Sequence, residues 1–520
     1  MKIRIGLSRA SSSWDQLLHQ EGVPGIPVDL RSQLPSDEYS AVIVTAPLDA
    51  AGRDAVESFL RHGGAVLGYS AFLEGVSGFT SRMQRVRFME PSGDLFAGGP
   101  GLLDVDDMCA IPREAQYWRT DDRSPAVFAG QWGGGIVVGL PFDPAAIMAD
   151  SRAVSRKFFA RMERLPVERV SAAGKGGMRY LLHAALEYLH HARALAYAHL
   201  WYFPDGRKNL LAFRIDTDGA PLHDVETLRR IGERYAVPFT WCLDVGGHES
   251  WLGRFGEMKG DETAVHCYEH RPFRDSASQR ADIVQAIAAM SRAGLSASGF
   301  TAPYGRWSHY LPDLLESMGF SWSSEFSYLY DALPWYPETE GKRSPVLQVP
   351  IHPICVGSLR KAGYTPEKMM TYFRSVISMK ALVDEPLFFY HHPTHRHDEV
   401  IEDLLDCALR SGGAPVTMGA VAAWWKSRNA LRPAIEVDGG VVTCRMAGGD
   451  GEKAAVHLRV SLPGHREALV PWQTAVRLDD PDLFSPRLPS SVPADLHRLR
   501  EFDLRSALGE LFTILQRRFR

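Results

Sequence analysis

The chain has 520 residues, of which 45% are hydrophobic and 23% charged, with a formal net charge of -4. This is the balance of a globular protein of about three ordinary domains, and it excludes a global attraction to nucleic acid or to anionic membrane. The six cysteines, Cys109, Cys242, Cys267, Cys355, Cys407 and Cys444, have no paired spacing, so they read as reduced thiols rather than a disulfide framework.

The first residues, 1–7, alternate polar and apolar side chains like a first strand. They lack the apolar core of a signal peptide, and no later stretch reaches the ~18 uninterrupted apolar residues of a membrane span, so a cytoplasmic location is expected. Residues 1–150 read as a doubly wound α/β domain. The run Ala41-Val42-Ile43-Val44-Thr45-Ala46 is a fully buried strand type, a helix follows over 50–62, Gly63-Gly64 stops it, and 65–69 is the next strand. Residues 133–141 add a late strand. The order strand, helix, Gly-Gly, strand resembles the glutamine-amidotransferase-like fold. Enzymes of that fold need a nucleophilic cysteine at an elbow after a strand, whereas Cys109 lies in an acidic segment. The domain is therefore expected to be non-catalytic, with sugar binding or partner docking as its open roles.

Residues 151–205 are basic and then helical, a linker whose apolar side chains over 180–191 recur at helical spacing and pack the domains together. His190 and His191 have no carboxylate company there and read as interfacial.

The central domain spans 206–430. Its organising stretch is Leu210-Leu211-Ala212-Phe213-Arg214-Ile215-Asp216-Thr217-Asp218-Gly219, a buried strand that delivers two carboxylates to the carboxyl end of a sheet. Asp216 and Asp218 project from the same side. Downstream, Ala264-Val265-His266-Cys267-Tyr268-Glu269-His270 carries two histidines four apart, which share one face of a helical turn and can converge on one ion. Cys267 would then point about 100° away from His266, as a packing residue. A third strand end, 386–393, delivers His391 and His392. Each motif alone reads as a turn, a cap or a solvated helix face; together they are a functional constellation. One Asp and two His make three protein ligands with positions left for water or substrate, the count of a hydrolytic metal site. Strands are expected over 210–215, 237–243, 264–266, 297–301, 347–349 and 387–391, with helices over 276–293 and 366–379, a mostly parallel sheet whose closure into a barrel gathers the three motif ends on one rim.

The order Asp-x-Asp-Gly, His-x-x-x-His, Ala302-Pro303-Tyr304-Gly305 and a late strand-end His resembles the polysaccharide deacetylase (NodB-homology, carbohydrate esterase family 4) superfamily over about 206–425. The form Arg214-Ile215-Asp216-Thr217-Asp218 most resembles its deformylase-like branch, which contains the deformylase that acts on undecaprenyl-phosphate-linked formamido-arabinose. The resemblance implies a distorted (β/α)7 barrel and a divalent metal, zinc by expectation, held by Asp218, His266 and His270. It makes Asp216 the base and the backbone N–H of Tyr304 an oxyanion donor. His392 is the expected general acid, since its near-neutral pKa suits protonation of a leaving amine; His391 is its rival, because neighbours on a strand point to opposite faces. Two departures stand out. Thr217 splits the family's adjacent Asp pair, and Thr301 stands where the family has an Arg that steadies the base, leaving Arg214 or Arg306 to supply that charge.

His395 and His397 fall in a charged loop and read as solvated. Trp307, Tyr310, Trp322, Phe326, Tyr328, Tyr330 and Trp335 either line a glycan groove or pack under a long loop, and Glu325 or Asp331 could orient the acid histidine. After 432 a small β-rich region is expected, with strands at 435–438, 441–445 and 455–461, then a Pro-rich linker over 481–493 and an amphipathic helix over 494–520 with a basic end. That helix either returns onto the body or attaches peripherally to the inner face of a membrane. The expected activity is hydrolysis of the N-acyl amide of an amino sugar in a polysaccharide or a lipid- or nucleotide-linked glycan, without nucleic-acid partners. The alternatives are a catalytically inactive glycan-binding protein and a scaffold of envelope polysaccharide assembly. The oligomeric state stays open.

Overall fold

A computed structural model of the chain describes residues 2–31, 34–93, 101–158, 166–448, 455–487 and 508. The chain folds into two compact units. One draws its described residues from 1–150, 173–207 and 424–492, the other from 151–172, 208–423 and 493–520.

The second unit carries the motif ends. Its sheet runs through β1 (Asn209–Asp216), β2 (Phe239–Asp244), β3 (Glu262–Cys267), β4 (Gly299–Phe300), β5 (Trp322–Ser323), β6 (Leu347–Gln348) and β7 (Leu387–His391) in the order β6-β5-β4-β3-β2-β1-β7, with β8 (Gly413–Pro415) also pairing with β1. All of these pairings are parallel. Helices Leu222–Tyr235, Ser276–Arg292, Leu311–Ser317, Pro366–Leu382 and Asp398–Arg410 make crossovers between strands, as parallel pairing requires. The His352 backbone N–H, beyond β6, donates to the Phe388 carbonyl in β7 at 2.8 Å, so the two sheet edges approach and the sheet curls toward closure. β1 lies between β2 on one side and β7 and β8 on the other, and all of its residues are buried, which accounts for its unbroken apolar run. The two-residue strand β5 was not expected; it is too short to announce itself in an aromatic segment.

In the first unit, strands Gly25–Pro27, Ile5–Leu7, Ala41–Val44, Ala65–Tyr69 and Gly135–Leu140 pair in parallel. Val42, Val44, Val66 and Val137 form one core with Val56, Phe59 and Leu60 of helix Ala50–Arg61. Helix Lys175–His191 packs on the same strands, and strand alternation gives Ile43 and Leu67 to the face away from that core. Helices on both faces are the doubly wound arrangement, but the sheet differs from expectation. It continues from Gly135–Leu140 through four antiparallel strands, Pro125–Trp132, Tyr117–Thr120, Ser81–Glu90 and Leu103–Pro112. Cys109 lies within the last of these, and burial pushes its thiol up to about 12.

The expected linker is not wholly helical, since Ala153–Lys157 and Val167–Ser171 form a hairpin in the second unit. The β-rich C-terminal region borrows strands from elsewhere: Lys2–Ile3 pairs with Arg432–Asp438, and Tyr197–Leu200 with His457–Leu462. Backbone pairing across such distances cannot be read from local patterns. His190 is buried, its Nδ1–H donating to the Leu186 carbonyl at 2.7 Å, and His191 Nε2 lies 3.3 Å from Ser461 Oγ. The Pro-rich stretch begins with a short strand, Ser485–Pro486, paired with Arg466–Pro471. Residues 488–493 of that linker and the helix expected over 494–520, Leu508 apart, lie outside the described residues. No helix among the described residues is long and apolar enough to cross a membrane.

Candidate metal centre and active site

The carboxyl end of β1 explains the split Asp pair. Thr217 is fully buried and turns toward β2: its N–H and Oγ–H both reach the Cys242 carbonyl (3.1 and 3.2 Å), and its Oγ1 accepts from the Asp244 N–H at 2.9 Å. With Thr217 fastened there, Asp216 and Asp218 project to the other side, into a cavity of about 430 Å³. Asp218 has φ 36° and Gly219 φ 65°. A left-handed Asp costs on the order of 1 kcal/mol, a strain characteristic of functional turns.

Arg214 shares Asp216's face of the strand, two residues back. It is completely buried; its Nη2 donates to Asp216 Oδ2 at 2.7 Å, and its Nη1 to the carbonyl and Oγ of Ser324 at 2.7 and 3.0 Å. Arg306 is exposed, so of the two arginines it is Arg214 that pairs with Asp216. Burial by itself would raise the Asp216 carboxyl; Arg214, then His266 and His392, outweigh it and hold the group below the usual carboxylate range. Its Oδ1 is buried with no hydrogen-bond partner.

His266 and His270 do not share a helical turn, contrary to the sequence expectation. His266 is on β3 and His270 in the loop that follows. They converge because the chain bends after the strand: their ring centroids are 5.1 Å apart. Strand alternation, rather than helical geometry, turns Cys267 away, to contact Asp244 Oδ1 at 3.7 Å. His266 Nδ1 lies 2.9 Å from both the carbonyl and the Oγ1 of Thr301. The carbonyl can only accept, so Nδ1 carries a proton, and in the neutral ring Nε2 is left to present its lone pair to the cavity. That lone pair faces Asp218 Oδ1 at 3.3 Å, and His270 Nε2 faces the same oxygen at 3.4 Å. Asp218 Oδ1 is buried and makes no hydrogen bond.

Acceptors turned toward one another are satisfied by a shared cation. Ligands bound at about 2.1 Å in a tetrahedral shell stand roughly 3.4 Å apart, close to the separations here, and the donor atoms of Asp218, His266 and His270 all lie within 4.8 Å of one another. The donor set therefore fits a divalent metal ion.

His392 also enters the cavity, its Nε2 3.4 Å from Asp218 Oδ2. Burial lowers its pKa, but Asp218 first, then Cys355 and Asp216, outweigh burial and push it up to about 9. A cation on Asp218 neutralises that pull and returns His392 toward the ordinary imidazole range. Its rival His391 points the other way, fully buried. The Tyr304 ring stands 4.9 Å from that of His270, and its backbone has φ 61°.

Other expectations need correction. Glu325 accepts from the Ala302 N–H at 3.0 Å and from Gln348 Nε2 at 2.7 Å, so it braces the Ala302-Pro303-Tyr304 turn rather than His392. Asp331 pairs with His352 Nδ1 (2.9 Å) and Lys380 Nζ (2.7 Å). Of the aromatic cluster, Trp307, Trp322, Tyr328, Tyr330 and Trp335 are buried packing residues, while Phe326, also buried, lines the cavity. His395 is not a solvated loop residue: it lines the cavity beside His392, ring centroids 4.5 Å apart, with its Nδ1 3.8 Å from Cys355 Sγ. Burial would raise the Cys355 thiol, but its contacts with His392 and His395 hold it well below the ordinary value. Sequence reasoning missed Cys355 because forty residues separate it from His395, with no local motif joining them.

No family model matches the chain, and no curated protein matches it. Among solved structures, the chain is similar to a protein of Mycobacterium smegmatis assigned as a polysaccharide deacetylase, with 18% identity and a TM-score of 0.39 over 44% of this chain and 94% of the other. A protein of Pseudomonas aeruginosa PAO1 with the same assignment gives 17% identity and a TM-score of 0.36 over 42% and 91%. Puue allantoinase gives 16% identity and a TM-score of 0.36 over 43% and 92%.

Proposed function

We propose that the chain is a metal-dependent hydrolase that removes an acetyl or formyl group from the nitrogen of an amino sugar, carried on a polysaccharide or on a lipid- or nucleotide-linked glycan. The observation that carries this reading is the convergence of Asp218, His266 and His270 on one point beside the buried Arg214–Asp216 pair, at the floor of an accessible cavity.

Asp218, His266 and His270 hold the ion, which supplies Lewis acidity toward the acyl carbonyl and lowers the pKa of water. Asp216 is kept ionised by Arg214, and its unpaired Oδ1 accepts the proton of the attacking water. The backbone N–H of Tyr304, on a turn braced by Glu325, donates to the oxygen as it gains charge. His392 gives a proton to the departing amine; with Asp218 committed to the ion, the Asp216 carboxylate is what favours its protonated form. Phe326, Tyr390 and the exposed Tyr304 line the cavity, and aromatic rings are surfaces on which the C–H faces of a sugar ring stack.

The test is a screen of N-acetyl and N-formyl amino sugars and their oligomers for released acetate or formate, run beside Asp216→Asn. Release that depends on added zinc or cobalt and falls roughly 10²–10⁴-fold in the variant supports the reading. Equal release by both proteins would overturn it.

A further inference from the structure

The cavity contains a second convergent set of metal-ligating side chains. Cys355 Sγ and ring nitrogens of His392 and His395 lie within 4.8 Å of one another. The set is built rather than incidental. Cys355 directly precedes helix Val356–Lys361, whose Gly357 makes the room for His395: a Cβ there would stand 2.2 Å from the imidazole ring. Asp218 lies between the two sets, Oδ1 facing His266 and His270 and Oδ2 facing His392. A carboxylate whose two oxygens face separate donor groups is arranged as a bridge between neighbouring ions.

We propose that Cys355, His392 and His395, with Asp218 as the shared carboxylate, form a second site for a thiophilic divalent cation of the zinc class, and that filling it withdraws His392 from proton transfer. A thiolate with two imidazoles selects such ions over magnesium, calcium or manganese. Occupancy of this site makes excess zinc an inhibitor. The binding half stands on the donor set alone; the inhibition rests on the reading of His392 as the acid.

Metal-free full-length chain titrated with cobalt(II) tests it, because a thiolate ligand adds a charge-transfer band in the near ultraviolet that carboxylate and imidazole do not. The wild type is expected to bind two equivalents, the second raising that band. Cys355→Ser should bind one equivalent with no band, and His266→Ala one equivalent with the band intact. Gly357→Ala, which displaces His395 while leaving every ligand in the sequence, should weaken the band. Half-inhibition by excess zinc should need at least about tenfold more zinc in Cys355→Ser, the scale on which lost metal-site contacts act. A wild type that saturates at one equivalent without the band, or a band that survives Cys355→Ser, overturns the second site and leaves the proposed hydrolase standing. A band with no further equivalent sensitive to His266→Ala overturns the hydrolase reading and upholds the second site.

Discussion

The two units each bring a carboxylate and two histidines together: Glu21, His183 and His199 in the first, Asp218, His266 and His270 in the second. The residue types are the same, and the difference lies in what already satisfies the carboxylate. Glu21 is sealed from solvent and accepts hydrogen bonds from His183 Nδ1 at 2.7 Å, Tyr197 Oη at 2.8 Å and Tyr202 Oη at 3.0 Å, with Arg179 among the cations around it. Asp218 has its histidines at 3.3 and 3.4 Å, an oxygen without a hydrogen bond, and a cavity in front of it. Closed contacts make a structural knot; donors held apart around a common point make a binding site. The first cluster stabilises the fold, and the second keeps its lone pairs for something else.

Substitutions separate the two roles, beginning with the largest effect. Asp218→Asn should abolish divalent-metal binding at its centre and reduce deacylation to background, while denaturant unfolding of the metal-free chain changes by no more than about 1 kcal/mol, since Oδ1 makes no hydrogen bond for the amide to lose. Glu21→Gln should do the reverse. It leaves three buried donors sharing a poorer acceptor and costs about 3 kcal/mol or more in unfolding free energy, with the metal content of the second unit intact. Thr301→Val removes the hydroxyl beside His266 Nδ1 but leaves the carbonyl, so metal affinity should fall about tenfold, the low end for such supporting contacts, as read by chelator competition.

The smallest effect is in pH dependence. Burial lowers His199 from 6.5 to about 3, so an unfolded chain takes that proton first, and this contribution to stability, complete above pH 6.5, erodes as pH falls toward 3. Glu21 is held below its ordinary 4.5 because its partners, His183 foremost, outweigh burial; its contribution is complete above pH 4.5 and is lost as pH falls below that. Unfolding of the first unit should therefore become easier in two steps on acidification. Glu21→Gln should erase the lower step and keep the upper one, as followed by thermal melts across pH.

Much of the second unit was legible in the sequence, because a buried central strand needs an unbroken apolar run, and its abrupt end in Asp216-Thr217-Asp218-Gly219 marks where the sheet stops. The proposed metal ligands were singled out through spacing, though for a mistaken reason: a helical turn was expected where a strand end and a bent loop bring His266 and His270 together. Arg214 stood open beside Arg306 until burial distinguished them. Cys355, His395 and the acceptor role of Thr301 depend on contacts between residues far apart in the chain, and no local period carries such information. In the first unit four of the parallel strands were plain and Gly25–Pro27 was not expected, while the antiparallel extension and the pairing of Lys2–Ile3 with Arg432–Asp438 come from long-range register.

The most direct test is anomalous scattering at the zinc edge from crystals of the zinc-loaded chain. The account predicts a strong peak among Asp218, His266 and His270 and none among Glu21, His183 and His199. A peak at the Glu21 cluster, or no density between Asp218 and His266, would contradict it.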